Sequence, residues 1–330
     1  MKRYLTEALL ITNTENIYDI IDWLYWHINI IGFEHIVLID NDSPVNLNIL
    51  CKFFGNKIKY IKLPGKLNQN EVYNKYVNNS DAYWVLPIDD DEFLYISDKY
   101  QNNIKNLIIA NDNFKFLKFS FTWMMMFSKK LINTRNLQNT NIFELFDCYY
   151  DNEAGFFEDI TNIKTMVNTC AKHYYASDNK NLKKTHFVPV NDLNIDNYEI
   201  RVNYNISNCY DHMATVHNPI TILYKTFQHA YNITNNFIDI GYKSHSLVHH
   251  LNDAYLLHFK YKTKSEWDYK VNKRNKFDDV CETYYNNIYT NNAIVNAYNY
   301  NQYFKPNYLP KQLYNKYINN ILKIKNNVLL

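Results

Sequence analysis

Glycine is scarce in this chain, with 5 residues in 330. No Gly-x-Gly-x-x-Gly follows the first predicted strand, which argues against an ordinary nicotinamide site. Cysteine is almost as sparse. Cys51, Cys148, Cys170, Cys209 and Cys281 are odd in number, scattered and without a Cys-x-x-Cys pair. That pattern gives neither a disulfide framework nor a zinc site, and implies reduced thiols in a cytosolic-type compartment. Long apolar runs are missing too. Nothing approaches the ~20 residues of a membrane-spanning helix. Residues 8–11, preceded by Lys2 and Arg3, are too short for a signal peptide. The expectation is a soluble, cytoplasmic protein. Charge of one sign is not in excess: 35 bases against 33 acids leave +2. A nucleic-acid partner, which calls for a clear basic surplus, is not expected.

What the chain does have is apolar and aromatic mass. Hydrophobic residues make up 47%, with 31 Tyr and 19 Phe, enough for a substantial core in one large domain or two ordinary ones. The abundance of Asn, Ile and Lys suggests an AT-rich genome, as in some parasites or giant viruses. No internal repeat and no clean linker interrupts the sequence.

The first ninety residues alternate strand and helix. Residues 7–12 read as a strand, and Thr12-Asn13-Thr14-Glu15 fits a capping box with Thr12 as N-cap. Ile17, Ile20, Ile21, Leu24, Ile28 and Ile31 then recur at helical spacing until Gly32 stops the helix. Residues 34–39 form a second strand, ended by the turn cluster Asp40-Asn41-Asp42-Ser43-Pro44. A short helix over about 45–54 leads to a third strand, 57–63, and Asn68 caps a helix carrying Val72, Tyr73, Tyr76 and Val77. A fourth strand, 82–88, runs into Asp89-Asp90-Asp91-Glu92 and a further apolar group, 93–96. Such alternation predicts an α/β fold, a mostly parallel sheet with helices on its faces. In such sheets ligands bind outside the carboxyl ends of the strands. Thr12 to Thr14, Asp40 to Ser43 and Asp89 to Asp91 all fall there.

The acidic turn is the centre of interest. Unpaired carboxylates are too costly to bury, so they face water or a cation. Asp89 and Asp91 share one side of an extended chain and offer hard oxygens to Mg²⁺ or Mn²⁺. The bland alternative is a solvated acidic turn. Further along, 114–127 is a long apolar run with Trp123 and Met124 to Met126, read as core. A short helix is expected over 142–146, a strand over 254–258, a helix from Ser265 to Asn275, and a packed helix within the tail 310–330.

The first ~95 residues resemble the family-2-like glycosyltransferases that include the family-92 group. The resemblance rests on Asp22-Trp23, His27, Gly32, Asp40-Asn41-Asp42-Ser43, Trp84 and Asp89-Asp90-Asp91-Glu92-Phe93, in matching order. A second stretch matches downstream: His258-Phe259, Lys264-Ser265, Glu266-Trp267, Lys270 and Arg274. Lys164 and His186 match weakly. The chain departs from the family in having Thr14-Glu15-Asn16 in place of Lys-Asn-Glu, Asn275 in place of Gly, and no Gly-rich segment near 127–130.

The resemblance implies a GT-A fold, a Rossmann-like three-layer sandwich with a helical C-terminal extension. It implies a glycosyltransferase domain over about 1–265, with a nucleotide-sugar half to about 125 and an acceptor half beyond it, and an extension over 266–330. The implied activity is hexosyl transfer, with inversion, from a nucleotide-diphosphate sugar to a hydroxyl of a glycan, glycoprotein or other acceptor. Uridine diphosphate is the favoured carrier and guanosine diphosphate the next. A divalent metal, Mn²⁺ or Mg²⁺, holds the diphosphate and neutralises the leaving group. The implied metal ligands are Asp89, Asp91 and His258. The implied nucleotide contacts are Thr12, Asn13, Thr14, Asp40, Asp89, Asp90 and Lys264. Bland alternatives stay open: His258 as a core histidine, Lys264 as a solvated lysine, Asp40 as a turn former. His27, on the apolar face beside Trp23 and Leu24, reads as structural. The base that would take the acceptor's proton is not identified; Glu153, Glu158, Asp159, Asp178, Asp192 and Asp211 are the candidates. Two other classes remain. One is a GT-A-like nucleotide- or sugar-binding protein without catalysis. The other is a metal-dependent nuclease or phosphoesterase, disfavoured by the neutral charge balance.

Overall fold

Alternation along three strands builds the sheet. In the computed structural model, β1 (Thr6–Thr12) sends Ala8 and Leu10 into one hydrophobic cluster and Leu9 into another. In β2 (His35–Asp40), Ile36 and Leu38 join the first cluster, Val37 and Ile39 the second. In β4 (Trp84–Pro87), Trp84 and Leu86 oppose Val85 in the same way. Strands covered on both faces have no polar side to show, which is why these stretches read as unbroken apolar runs. The structure describes residues 5–67, 69–111, 118–128, 132–150, 163–169, 254–260, 262–274 and 318–328. Single residues and short strands are also described among 173–189, 229–239 and 304–315.

Helices cover the two faces. On one lies α1 (Ile17–Tyr25), with Ile20, Ile21, Trp23 and Leu24 in the larger cluster. The helix α2 (Leu50–Phe54) joins it through Leu50 and Phe54. On the other lies α3 (Gln69–Asn78), through Val72, Tyr73 and Val77. With β3 (Ile58–Lys62), the strands run β3-β2-β1-β4, all parallel. Beyond β4 come β8 (Ile163–Asn168), antiparallel to both neighbours, and β6 (Lys118–Phe127). A hairpin of His229–Asn232 and Asn235–Asp239 continues the edge. The result is an α/β fold of three layers around a mostly parallel sheet. Because β2 and β3 lie to one side of β1 and β4 to the other, the chain reverses direction across the sheet between β1 and β4. That switch point is where such sheets open a crevice.

The remaining pieces frame that crevice. The strand β5 (Glu92–Ile96) follows the acidic turn and pairs antiparallel with β9 (Ala254–His258). In turn β9 lies parallel to β6. Three more helices are α4 (Ile104–Asn111), α5 (Ile142–Leu145) and α6 (Lys264–Arg274), and α7 (Ile318–Asn327) buries Ile321 in the larger cluster. The short strand β7 (Cys148–Tyr150) pairs with β6.

Two details differ from the sequence expectation. The N-cap of α1 is Asn16, whose side chain accepts from the Tyr18 and Asp19 N–H groups, not Thr12. Thr12 is still in β1, and its hydroxyl is directed at Asp90 instead. The helix also loosens into a π turn, Trp26–Ile30, before Gly32 ends it at φ +84°. Asn68 lies outside the described residues.

Candidate functional site

The acidic turn is fixed from behind by α1. Trp23 donates its indole N–H to the Asp89 carbonyl at 3.0 Å, and Trp26 donates to the Leu94 carbonyl at 2.6 Å. His27 bridges the Trp23 carbonyl at Nδ1 and the Leu94 N–H at Nε2. An N–H can only be received by a bare nitrogen, so Nε2 accepts and Nδ1 carries the proton. Burial holds the His27 pKa down at about 3. Its place is structural, as its apolar surroundings implied.

Each carboxylate of the turn meets a different partner. Asp89 accepts from Lys164 of β8 at 2.7 Å and from the Tyr73 hydroxyl at 3.4 Å. Lys164 also stands 3.5 Å from Glu92, whose side chain is wholly buried and accepts the Asp89 N–H. Burial raises the Glu92 carboxyl well above its ordinary value, against the pull of Lys164. Asp90 accepts from the Thr12 hydroxyl at 2.6 Å, a bond that crosses the switch point between β1 and β4. Burial and the neighbouring Asp91 charge raise the Asp90 carboxyl.

Asp91 looks the other way. In the β5–β9 pairing His258 lies opposite Glu92, next to Asp91. His258 Nε2 stands 3.4 Å from Asp91 Oδ1, and Lys270 of α6 donates to Asp91 Oδ2 at 2.8 Å. Burial pushes the Asp91 carboxyl up, but Lys270 and His258 outweigh it and hold the group well below the usual carboxylate range. Asp91 is therefore an anion at any ordinary pH.

A cleft of ≈ 630 Å³ opens over this turn, lined among others by Thr12, Asn13, Asp89, Asp91, His258 and Lys270. That volume suits a small ligand. An adjoining recess of ≈ 170 Å³ reaches past Thr14, Glu15 and Asp90 to Lys262 and Glu266. So Thr12, Asn13, Thr14, Asp89, Asp90, Asp91 and His258 come together. Asp40 and Lys264 line neither space. Asp40 is buried, accepting from the Ser43 N–H and the Tyr60 hydroxyl, while the adjacent Asn41 lines the cleft. Lys264 pairs with Asp268 on its own helix. Glu153, Glu158, Asp159, His186, Asp192 and Asp211 lie outside the described residues, and Asp178 falls in the short strand Asp178–Asn179.

The donor set at Asp91 and His258 is one a divalent cation accepts. Asp91 Oδ1 and His258 Nε2, 3.4 Å apart, would hold such an ion between them, and it would supply Lewis-acid charge there. Carboxylate with imidazole suits Mn²⁺ better than Mg²⁺. Asp89 is turned toward Lys164. Among the described residues, no group of three or more His, Cys, Asp or Glu side chains is placed to hold a metal by itself. Further coordination positions would fall to a ligand or water.

The cations of the site were the part least visible in the sequence. Lys260 and Lys262 line the cleft or the recess, yet nothing in their spacing marks them. Arg135, 1% exposed, bonds both Asp19 and Glu266 from a loop with no motif of its own.

No family model matches the chain, and no curated relative matches it. Solved structures do show local likeness. TarS 1–349 of S. aureus aligns at 15% identity and TM-score 0.33, over 54% of this chain and 51% of that one. The mannosyltransferase PcManGT of Pyrobaculum calidifontis, in complex with GDP-Man and Mn²⁺, aligns at 10% identity and TM-score 0.27, over 41% and 37%. Glucosyl-3-phosphoglycerate synthase of Mycobacterium tuberculosis aligns at 12% and 0.24, over 36% and 43%. The chain thus spans about half or less of the length of these three structures. Likeness of this size fixes no activity. Among the described residues no helix is long and apolar enough to cross a membrane.

Proposed function

We propose that the protein is a metal-dependent glycosyltransferase of GT-A type that moves a sugar from a nucleotide-diphosphate donor to an acceptor hydroxyl. The observation that carries this reading is the facing pair Asp91 Oδ1 and His258 Nε2, 3.4 Å apart in the lining of the switch-point cleft. Asp91 and His258 would hold the divalent ion, Mn²⁺ favoured. When bound, such an ion neutralises negative charge growing on a leaving diphosphate.

The chain's own groups supply the rest. Lys270 and Lys260 line the cleft and offer positive charge to the diphosphate oxygens. Thr12, Asn13 and Asn41, at the ends of β1 and β2, line the cleft and would contact the nucleoside. Asp89, neutralised by Lys164, is left to bond ribose or sugar hydroxyls. In the transfer the bond from the anomeric carbon to the diphosphate oxygen breaks. A bond from the acceptor oxygen to that carbon forms, and the acceptor's proton passes to a base. Inversion, a uridine diphosphate carrier and a glycan acceptor are part of the proposal. Glu153, Glu158, Asp159, Asp178, Asp192 and Asp211 remain the candidates for the base.

A second reading has one observation in its favour. Asn16, which stands within Thr14-Glu15-Asn16, is engaged as the cap of α1, and this is the stretch that departs from the family pattern. A chain altered there could bind the nucleotide-sugar without turning it over. The deciding experiment is a nucleotide-sugar panel with and without Mn²⁺. Release of nucleoside diphosphate and acceptor labelling support transfer; binding without release supports the second reading. Release of inorganic phosphate would instead indicate a phosphoesterase.

A further inference from the structure

The cleft's key cation, Lys270, sits on α6, and the first turn of α6 is tied to a distant loop. Thr263 and Glu266 form a capping box: the Thr263 hydroxyl and N–H donate to Glu266, and the Glu266 N–H donates to the Thr263 hydroxyl oxygen. The next exposed donors of a helix start, the N–H groups of Lys264 and Ser265, bond the carbonyls of Ile132 and Asn133 at 2.9 and 3.0 Å. Arg135, two residues on, closes the arrangement. Its Nε and Nη2 grip both oxygens of Glu266, and Nη2 also reaches Asp19 of α1 at 2.6 Å. Lys262 joins on the same Asp19 oxygen at 2.7 Å. Arg135 and Asp19 are almost fully buried, with side chains 1% and 5% exposed. Burial works against their charges, yet each holds the other ionised: Asp19 is lowered mainly by Arg135 and Lys262, and Arg135 is raised mainly by Asp19 and Glu266.

The geometry points to Arg135 as a positioning residue that ties the first turn of α6 to α1, and through it sets the contact of Lys270 with Asp91. A guanidinium has the planar fork needed to serve Glu266 and Asp19 together; an ammonium is a single point of charge. With Lys in place of Arg, α6 would keep its capping box and Lys262 its bond to Asp19, but the fork that joins Glu266 to Asp19 would be lost. Lys270, about one turn along from Glu266, would drift from Asp91. The inference rests on the proposed function only in giving Lys270 a ligand to meet. The positioning itself is a property of the free chain.

The test is site-resolved acylation of lysines in the full chain, read by mass spectrometry without ligand. Exposed Lys59 is the internal reference, and thermal melting is measured alongside. In the parent, Lys270 reacts more slowly than Lys59 because Asp91 holds it. In Arg135→Lys, Lys270 reactivity rises about fivefold, the worth of one partly exposed ion pair, while Lys59 and the fold are unchanged. Glu266→Gln, which keeps a neutral partner for Thr263, is read the same way and gives the same rise. A folded variant with Lys270 unchanged overturns the inference, and so does failure of both variants to fold, since Arg135 is then only a structural pin. Mn²⁺-dependent nucleotide affinity is measured on the same proteins. Arg135→Lys should add nothing once Lys270→Ala is present. A parent that binds no nucleotide would defeat the proposed function and leave the labelling result standing.

Discussion

Lys270 donates to Asp91 at 2.8 Å although 179 residues separate them. The contact joins the turn after β4 to α6, and His258 stands on the carboxylate's other oxygen. Two distant parts of the chain, the turn and the β9–α6 stretch, therefore converge on one buried anion. A buried carboxylate persists as an anion only where cations or metal compensate it. The first expectation follows. Asp91→Ala abolishes Mn²⁺-dependent nucleotide binding, and His258→Ala weakens it by ~30- to 1,000-fold, the range for losing a ligating or charge-assisted partner. Calorimetry with and without Mn²⁺ measures both. Nucleotide binding by Asp91→Ala at parental strength, still requiring Mn²⁺, would remove the metal site from this turn.

Lys164 gives a second expectation. It is 5% exposed, and it is the cation that meets both Asp89 and the fully buried Glu92. Lys164→Met leaves two carboxylates facing each other across an apolar side chain. Asp89 is 37% exposed and the Glu92 carboxyl is raised, so the cost is that of leaving buried polar groups without a partner, about 1–3 kcal/mol. Denaturant unfolding should show that loss, and Lys164→Met/Glu92→Gln should recover part of it. An unchanged unfolding midpoint in the single variant would mean that Glu92 is protonated and already neutral.

Much of this was legible in the sequence, for identifiable reasons. The strands 6–12, 35–40 and 84–87 are buried on both faces, so apolar runs bounded by polar clusters marked them to within two residues or so. The acids after β4 stood out because they end such a run. The pairing of β9 with β5 could not be read from local pattern; only the family resemblance linked His258 to the acidic turn. Asp40 drew attention as a strand-end acid, yet its two oxygens are taken by Ser43 and Tyr60, a loop closure invisible without coordinates. Arg135 was missed because its partners lie 116 and 131 residues away, and a lone arginine in a loop carries no periodic signal.

Gly32 gives a third expectation, on the helix boundary. Its φ is +84°, and a Cβ there would fall 2.4 Å from the Asn103 amide nitrogen. Asn103 is not free to retreat, because its side-chain oxygen accepts from the Lys105 and Asn106 N–H groups at the start of α4. Gly32→Ala should therefore cost about 2–3 kcal/mol, the left-handed penalty plus a damaged cap. Equilibrium unfolding measures it, and a loss under about 0.5 kcal/mol would show that the turn re-forms around the methyl group.

The last expectation concerns acid. His27 is fully buried, and its pKa falls from 6.5 to about 3 on folding. A base with a depressed folded pKa binds more protons when unfolded, so its contribution to stability is complete above pH 6.5 and is lost as pH falls toward 3. Asp22 tilts the opposite way. Burial outweighs Lys325 and raises its pKa from 3.8 to about 6, so stability linked to it falls as pH rises between those values. The two slopes overlap, and only a difference between proteins isolates the histidine. His27→Phe removes the titrating group but orphans the Leu94 N–H that His27 now accepts. The variant should be less stable at pH 7 by about 1–3 kcal/mol. From pH 6.5 to 4 the gap should narrow, because the parent alone is losing the histidine's contribution. Denaturant midpoints at half-unit pH steps supply the comparison. A gap that stays constant would mean that His27 titrates alike in the folded and unfolded chain, which its burial and its bond to Leu94 both oppose.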